Sequence, residues 1–263
     1  MFWSMLRSTR ERYWGYYEPL HDALLAMVDD PAVVPRDSTH GGVEDKFREF
    51  RFLDRSTLGA LWQRWFSQER FLLEREDEAA DMEAYLRFLV DSAPFRPVFK
   101  FTRATFRVGW LRQKFPDAYI VQLSRKPRDI WTSMWRQDTE SSALFIPHSE
   151  AMVRDIGLEL PGDPYLGFHA LMLLADELCQ EVVDDRWEYD EAVTGLDMWS
   201  TRHLIEPGLL ETIPSIAVRS DSIGATGPHD DDWYDDQEQV VRSIVGDSVK
   251  QFVKSRNREP RAS

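Results

Sequence analysis

The sequence predicts an α/β fold built on a parallel sheet, and three observations in its middle carry that reading. Pro97 leads into VFKFTR, an apolar run of β-branched and aromatic character, and AYIVQLS (118–124) is a second such run. Between and after them, ATFRVGWLRQKF and RDIWTSMWRQ have helical spacing, so strand, helix, strand and helix follow one another within about forty residues. The runs are continuous rather than alternating, which implies strands buried on both faces.

The other elements follow in order. Phe2, Met5, Leu6 and Tyr13 fit one helical face. Gly15-Tyr16-Tyr17 marks a break with a brief strand, and helical spacing resumes over Leu20, Leu24, Leu25 and Val28. Residues 29–55, with Pro31, Pro35 and Gly41-Gly42, read as a long turn-rich excursion. Helices are expected over 56–69 and 78–92, with charged outer faces. Pro127 opens the helix after the second apolar run. An apolar helix runs from Tyr165 to about Cys179, VVDDRWEYD is a weaker strand, and a helix lies around 196–211. ATGPHDDDWYDD reads as a solvated loop before a last helix near 236–254. No repeat and no long linker parts the chain, so one domain is expected over 1–254, with a disordered basic tail over 255–263.

Composition narrows the function. Lys plus Arg number 32 against 46 Asp plus Glu, a net charge of −14, which makes the chain a poor general binder of nucleic acid or anionic membrane. Any bound anion must be met by local Arg or Lys. The single cysteine, Cys179, excludes an intramolecular disulfide framework and a Cys-based zinc site. No apolar run approaches ~18 residues, and the start lacks a signal-peptide core, so a soluble, cytoplasmic protein is expected.

The chemistry centres on SRKPRDIWTSMW. Arg125 stands where an apolar strand ends, Pro127 opens a helix, and Ser133 lies about two turns in. Ligands of parallel α/β sheets bind outside the carboxyl ends of strands, near helix N-termini that favour anions. An Arg there can fork two phosphate oxygens while a helical Ser donates to a third; a solvated basic turn is the plain alternative.

WLRQKFPDAYIVQLSRKPRDIWTSMW (110–135) resembles the sulfotransferases that use 3′-phosphoadenosine 5′-phosphosulfate (PAPS) as sulfuryl donor. In that family a helix ending in FP-x-A leads into a strand, an R-x-P-R/K-D turn and a helix carrying Ser. PVFKFTR with the following Trp-Leu-Arg helix is similar to the carbohydrate and bacterial branches. The resemblance covers residues 97–137, with weaker echoes at 2–28 and 165–190. It implies a P-loop-NTPase-like three-layer fold with a central parallel sheet, and binding of the nucleotide 3′-phosphate by Arg125 and Ser133. It also implies transfer without a metal to a hydroxyl on a carbohydrate or other small metabolite. YYEPLHDAL is similar to the family's Glu-Pro after the first helix, which makes Glu18 the expected base, with His21 as runner-up. The structural alternatives are a Glu18 carboxylate that caps a helix beginning at Pro19 and a half-buried His21 imidazole.

One family anchor is missing. The phosphate-binding loop of form [P/G]-x-[R/K]-S-G-[T/S]-[T/S] is absent, and Arg7-Ser8-Thr9 lies inside an expected helix. The expectation is that the first strand and loop lie upstream of Met1, and that the chain as written is less stable than its parent. True loss would instead leave a non-catalytic nucleotide-binding or interaction protein. Lys100 and Arg103, at the end of the first apolar run, are expected to meet solvent or an ion pair rather than ligand.

Overall fold

The computed structural model of the chain describes residues 2–9, 12–33, 45–137, 163–209 and 231–257. In chain order they form α1 (Phe2–Ser8), β1 (Tyr13–Tyr17), α2 (Leu24–Asp29), α3 (Arg55–Leu61), α4 (Trp65–Gln68), α5 (Ala80–Asp91), β2 (Arg96–Lys100) and α6 (Val108–Lys114). Then come β3 (Val121–Ser124), α7 (Pro127–Gln137), α8 (Pro164–Cys179), β4 (Asp185–Glu188), α9 (Tyr189–Thr194), α10 (Leu196–Ser200) and α11 (Asp231–Asn257). The fold is α/β, and both strand pairs are parallel: β1 with β2, and β3 with β4. Helices lie between the partners of each pair, as a parallel crossover requires. The chain divides into two compact units, Met1–Pro116 with Gly195–Arg219 and Asp117–Thr194 with Ser220–Ser263. Among the described residues no helix is long and apolar enough to cross a membrane.

In the first unit the register runs from Tyr13 opposite Arg96 to Tyr17 opposite Lys100. Helix α1 lies against β1 at Gly15, where an added Cβ would meet Trp3 Nε1 at 3.1 Å and Arg7 Cγ at 3.2 Å. Arg7 forks the buried Glu49 carboxylate at 2.7 and 2.8 Å. Tyr16, Leu20, Leu24, Phe50, Phe66, Met82, Tyr85, Leu89 and Trp110 build one apolar core around the strands. Arg107 is fully buried and donates to the carbonyls of Phe66, Glu69 and Arg70 at 2.5, 2.8 and 3.1 Å. It thereby satisfies carbonyls in and just beyond α4 that a short helix leaves without partners.

In the second unit β3 and β4 run in register from Val121–Asp185 to Ser124–Glu188. Asp163 caps α8 by accepting from Tyr165 N at 2.7 Å, with Pro164 in the first turn. Helix α11 packs along α8, burying Val241, Val245, Val249 and Val253 at the i, i+4 spacing of one face. Trp131, Tyr165, Phe168 and Tyr234 form an aromatic cluster joining α7, α8 and α11.

Several expected boundaries move. Tyr13 belongs to β1, because Tyr-Trp-Gly-Tyr-Tyr suits a pleated strand better than a helix. The helix over 56–69 is two short ones, separated at residues 62–64. Asp231 to Asp236 are the first turns of α11 rather than a loop, with Asp231 and Asp235 at 3.4 and 3.2 Å from Arg128 of α7. Carboxylates at a helix start are favoured by its dipole. The helix continues to Asn257, into the stretch read as a tail, and residues 258–263 lie outside the described residues. Neither β2 nor β3 is buried on both faces, and Leu123 is 50% exposed, because each strand pairs with one neighbour among the described residues.

Candidate functional site

Glu18 and Arg125 each directly follow the last residue of a strand in a parallel pair, while His21 and Ser133 lie further along the chain. In the first unit, Glu18 follows the last residue of β1, and its N–H donates to the Lys100 carbonyl at 2.8 Å, extending the ladder by one bond. Glu18 has φ 45°, in the left-handed region, although it is not glycine and precedes Pro19. Residues before proline favour extended backbone, and a positive φ costs an L-residue about 1–2 kcal/mol. The surrounding bonds hold this conformation. Tyr85, fully buried on α5, donates to the Pro19 carbonyl at 2.8 Å, and His21 N donates to the Glu18 carbonyl at 2.9 Å.

The Glu18 side chain turns into the protein and is 5% exposed. Oε1 accepts from Lys100 Nζ, while Oε2 accepts from Thr102 N at 3.0 Å and Thr102 Oγ1 at 2.9 Å. A carboxylate has about four acceptor positions, so one remains, on Oε1. Lys100 also lies over the Tyr17 ring, 4.9 Å from its centroid. The carboxylate thus ties β1 to the segment after β2 instead of capping a helix at Pro19; α2 begins only at Leu24. Lys100 meets the ion pair expected of it, and Arg103 lies 3.9 Å from Asp22.

His21 is half-buried beside this cluster. Its Nδ1 accepts from Ala23 N at 3.0 Å and lies equally far from Asp22 Oδ1. The Asp22 contact becomes an ion pair only with a protonated ring. Burial lowers the His21 pKa, and Arg103 adds to that, against the opposing pull of Asp22 and Glu18. The neutral ring with Nδ1 as acceptor carries its proton on Nε2, so the lone pair a base needs is already engaged.

In the second unit the parallel register ends at Ser124 and Glu188, so Arg125 and Tyr189-Asp190 leave the same end of the pair. The Arg125 side chain is 12% exposed, with Nε 3.3 Å from Asp190 Oδ1. Its guanidinium carbon lies 5.1 Å from the Tyr189 ring centroid, a cation–π arrangement. Ser133 is half-buried on α7, six residues after Pro127 opens that helix. Ser124 Oγ and Asp190 Oδ1 are buried and make no hydrogen bond among the described residues. A nearly buried cation, a hydroxyl unsatisfied among the described residues and a helix start soon after the strand end fit a polar, anionic group.

Glu18 and His21 therefore lie in one compact unit and Arg125 and Ser133 in the other. Thr102 is the residue that sequence reasoning missed: it sits in the bend just after β2, two positions beyond Lys100, where its hydroxyl and N–H both reach Glu18. Tyr189 and Asp190 prove to be neighbours of Arg125. No family model matches the chain, and no curated protein or solved structure does either.

Proposed function

We propose that this chain is a sulfotransferase of the PAPS-dependent family with its P-loop-like three-layer fold. It would transfer a sulfuryl group from PAPS to a hydroxyl of a carbohydrate or small metabolite. The observation that carries the reading is Arg125, a nearly buried guanidinium at the carboxyl end of a parallel pair, with Ser133 in the helix that follows. Ligands of α/β folds bind at such strand ends, and Arg is the side chain suited to forking a phosphate.

In this reading Arg125 and Ser133 hold the 3′-phosphate. Glu18 takes the proton of the acceptor hydroxyl on Oε1, the oxygen with an acceptor position left, and Lys100 and Thr102 orient it. Backbone in the left-handed region at a strand end is the kind of strain that collects at functional sites, which favours Glu18. The neutral His21, with Nδ1 engaged, is the weaker candidate.

A second reading, a non-catalytic nucleotide-binding or interaction protein of the same descent, is favoured by the absence of an R-S-G-T-like loop from the sequence. Arg7 does not replace that loop, since it forks Glu49. Both readings expect a nucleotide site and differ in transfer.

Thermal unfolding with adenosine 3′,5′-bisphosphate, with AMP as control and Arg125→Ala alongside, tests the nucleotide site. A ligand at a hundredfold excess over Kd stabilises the folded state by about 2.7 kcal/mol. The expected result is a rise in Tm with the bisphosphate alone, lost in Arg125→Ala. No shift with either nucleotide in a cleanly folded sample rules out the cofactor site and the enzyme with it.

A further inference from the structure

We propose that Tyr189 and Asp190 are positioning residues that hold Arg125 in the orientation its anionic ligand needs; the inference rests on the 3′-phosphate reading of Arg125. An Arg side chain only 12% exposed needs an opposite charge close by, and Asp190 Oδ1, 3.3 Å from Nε, supplies it. That oxygen accepts no hydrogen bond among the described residues, so the carboxylate pulls on the guanidinium by charge rather than by an aligned bond. The Tyr189 ring supports the guanidinium plane from 5.1 Å.

The two supports are consecutive residues at the start of α9, a position set by the backbone. Because Ser124 pairs with Glu188, the next residues of the two strands emerge side by side, Arg125 from one and Tyr189 from the other. Asp190 approaches the Nε side of the guanidinium, and the pair of terminal nitrogens is a different edge that can fork a phosphate end-on. Ring and carboxylate together restrict a side chain that otherwise has several rotatable bonds, so less freedom is lost when the anion arrives.

The sign of the effect separates positioning from mere charge balance. A carboxylate near a phosphate repels it. If Asp190 acted only through its charge, removing that charge would tighten anion binding. If it orients Arg125, removing it weakens binding of the ligand that carries the 3′-phosphate and leaves a 5′-monophosphate unaffected.

The test is calorimetric titration of the full chain with adenosine 3′,5′-bisphosphate and with AMP, for wild type, Arg125→Ala, Asp190→Asn, Tyr189→Leu and Tyr189→Phe. The proposal expects about a tenfold weaker Kd for the bisphosphate, equivalent to about 1.4 kcal/mol, in Asp190→Asn and Tyr189→Leu. AMP binding should be unchanged, and Tyr189→Phe, which keeps the ring, should behave as wild type. Should Asp190→Asn fail to fold, the contrast between Tyr189→Leu and Tyr189→Phe decides alone. If wild type prefers the bisphosphate and Arg125→Ala abolishes the preference, equal or tighter binding by Asp190→Asn and Tyr189→Leu overturns the positioning role while the nucleotide reading stands. If wild type does not distinguish the nucleotides, both are overturned.

Discussion

Replacing Glu18 by Gln keeps the size and shape of the side chain and removes its charge, so it isolates what the carboxylate does at the ends of β1 and β2. Three donors converge on it: Lys100 Nζ on one oxygen, and Thr102 N and Oγ1 on the other. Glutamine has one oxygen and one NH2 group, so one of these directions must become donor against donor. The cheaper arrangement points the amide oxygen at Thr102 and lets Lys100, whose side chain is 23% exposed, turn toward water. That loses one charge-assisted bond and weakens two others, at a cost of about 2–3 kcal/mol after allowing for the exposed lysine. For a chain of this size about 1 kcal/mol corresponds to about 2–4 °C, so Tm should fall by about 4–12 °C in a thermal melt followed by circular dichroism. Thr102→Val, which removes one hydroxyl donor and keeps the backbone N–H, should cost less, about 1 kcal/mol. A Glu18→Gln variant melting within about 1 °C of wild type would refute the reasoning, because the carboxylate would then not be what joins the two strand ends.

Arg107→Lys should lose about 2–4 kcal/mol in urea unfolding, since an ammonium cannot reach the carbonyls of Phe66, Glu69 and Arg70 together; an unchanged midpoint would contradict that. Gly15→Ala should cost about 1–3 kcal/mol, because the new Cβ would press on Trp3 and Arg7, and the urea midpoint reads it directly. His169 is 1% exposed, and burial, aided by the Arg242 charge, pushes its pKa down from 6.5 to about 4. Below 6.5 the unfolded chain binds a proton that the folded chain refuses, so this contribution is constant above 6.5 and is lost as pH falls toward 4. Between pH 7 and 4 wild type should lose about 3 kcal/mol more than His169→Phe, measured by urea unfolding at each pH; parallel pH profiles would contradict it.

The local elements were legible where local signals are strong. Pro127 opens α7, and the apolar stretch beginning at Tyr165 forms most of α8, because a proline in the first turn and a run of apolar residues act within one element. The acidic run 231–236 misled, since a row of aspartates suits a solvated loop as well as a helix start, and nothing local reveals Arg128 opposite. Strand pairing was hidden too: β1 finds β2, and β3 finds β4, through contacts far apart in sequence. The same distance hid the partners of Glu18. Thr102 is 84 residues away, and only the parallel register brings it there. The unit boundary at Pro116 carries no linker that composition would betray. Arg125 was legible as the end of an apolar strand before a proline, while its neighbours at Tyr189 and Asp190 follow from a pairing no short window contains.

Transfer itself tests the central claim most directly. The full chain would be incubated with PAPS labelled with 35S and a panel of neutral saccharides, and labelled acceptor counted for wild type and for Glu18→Gln at a temperature where both are folded. The account predicts labelled product with wild type and a fall of about 10²–10⁴-fold in Glu18→Gln, the range expected on losing a general base. Bisphosphate binding that depends on Arg125, with no labelled product from any acceptor, would contradict the transferase and leave the nucleotide-binding protein.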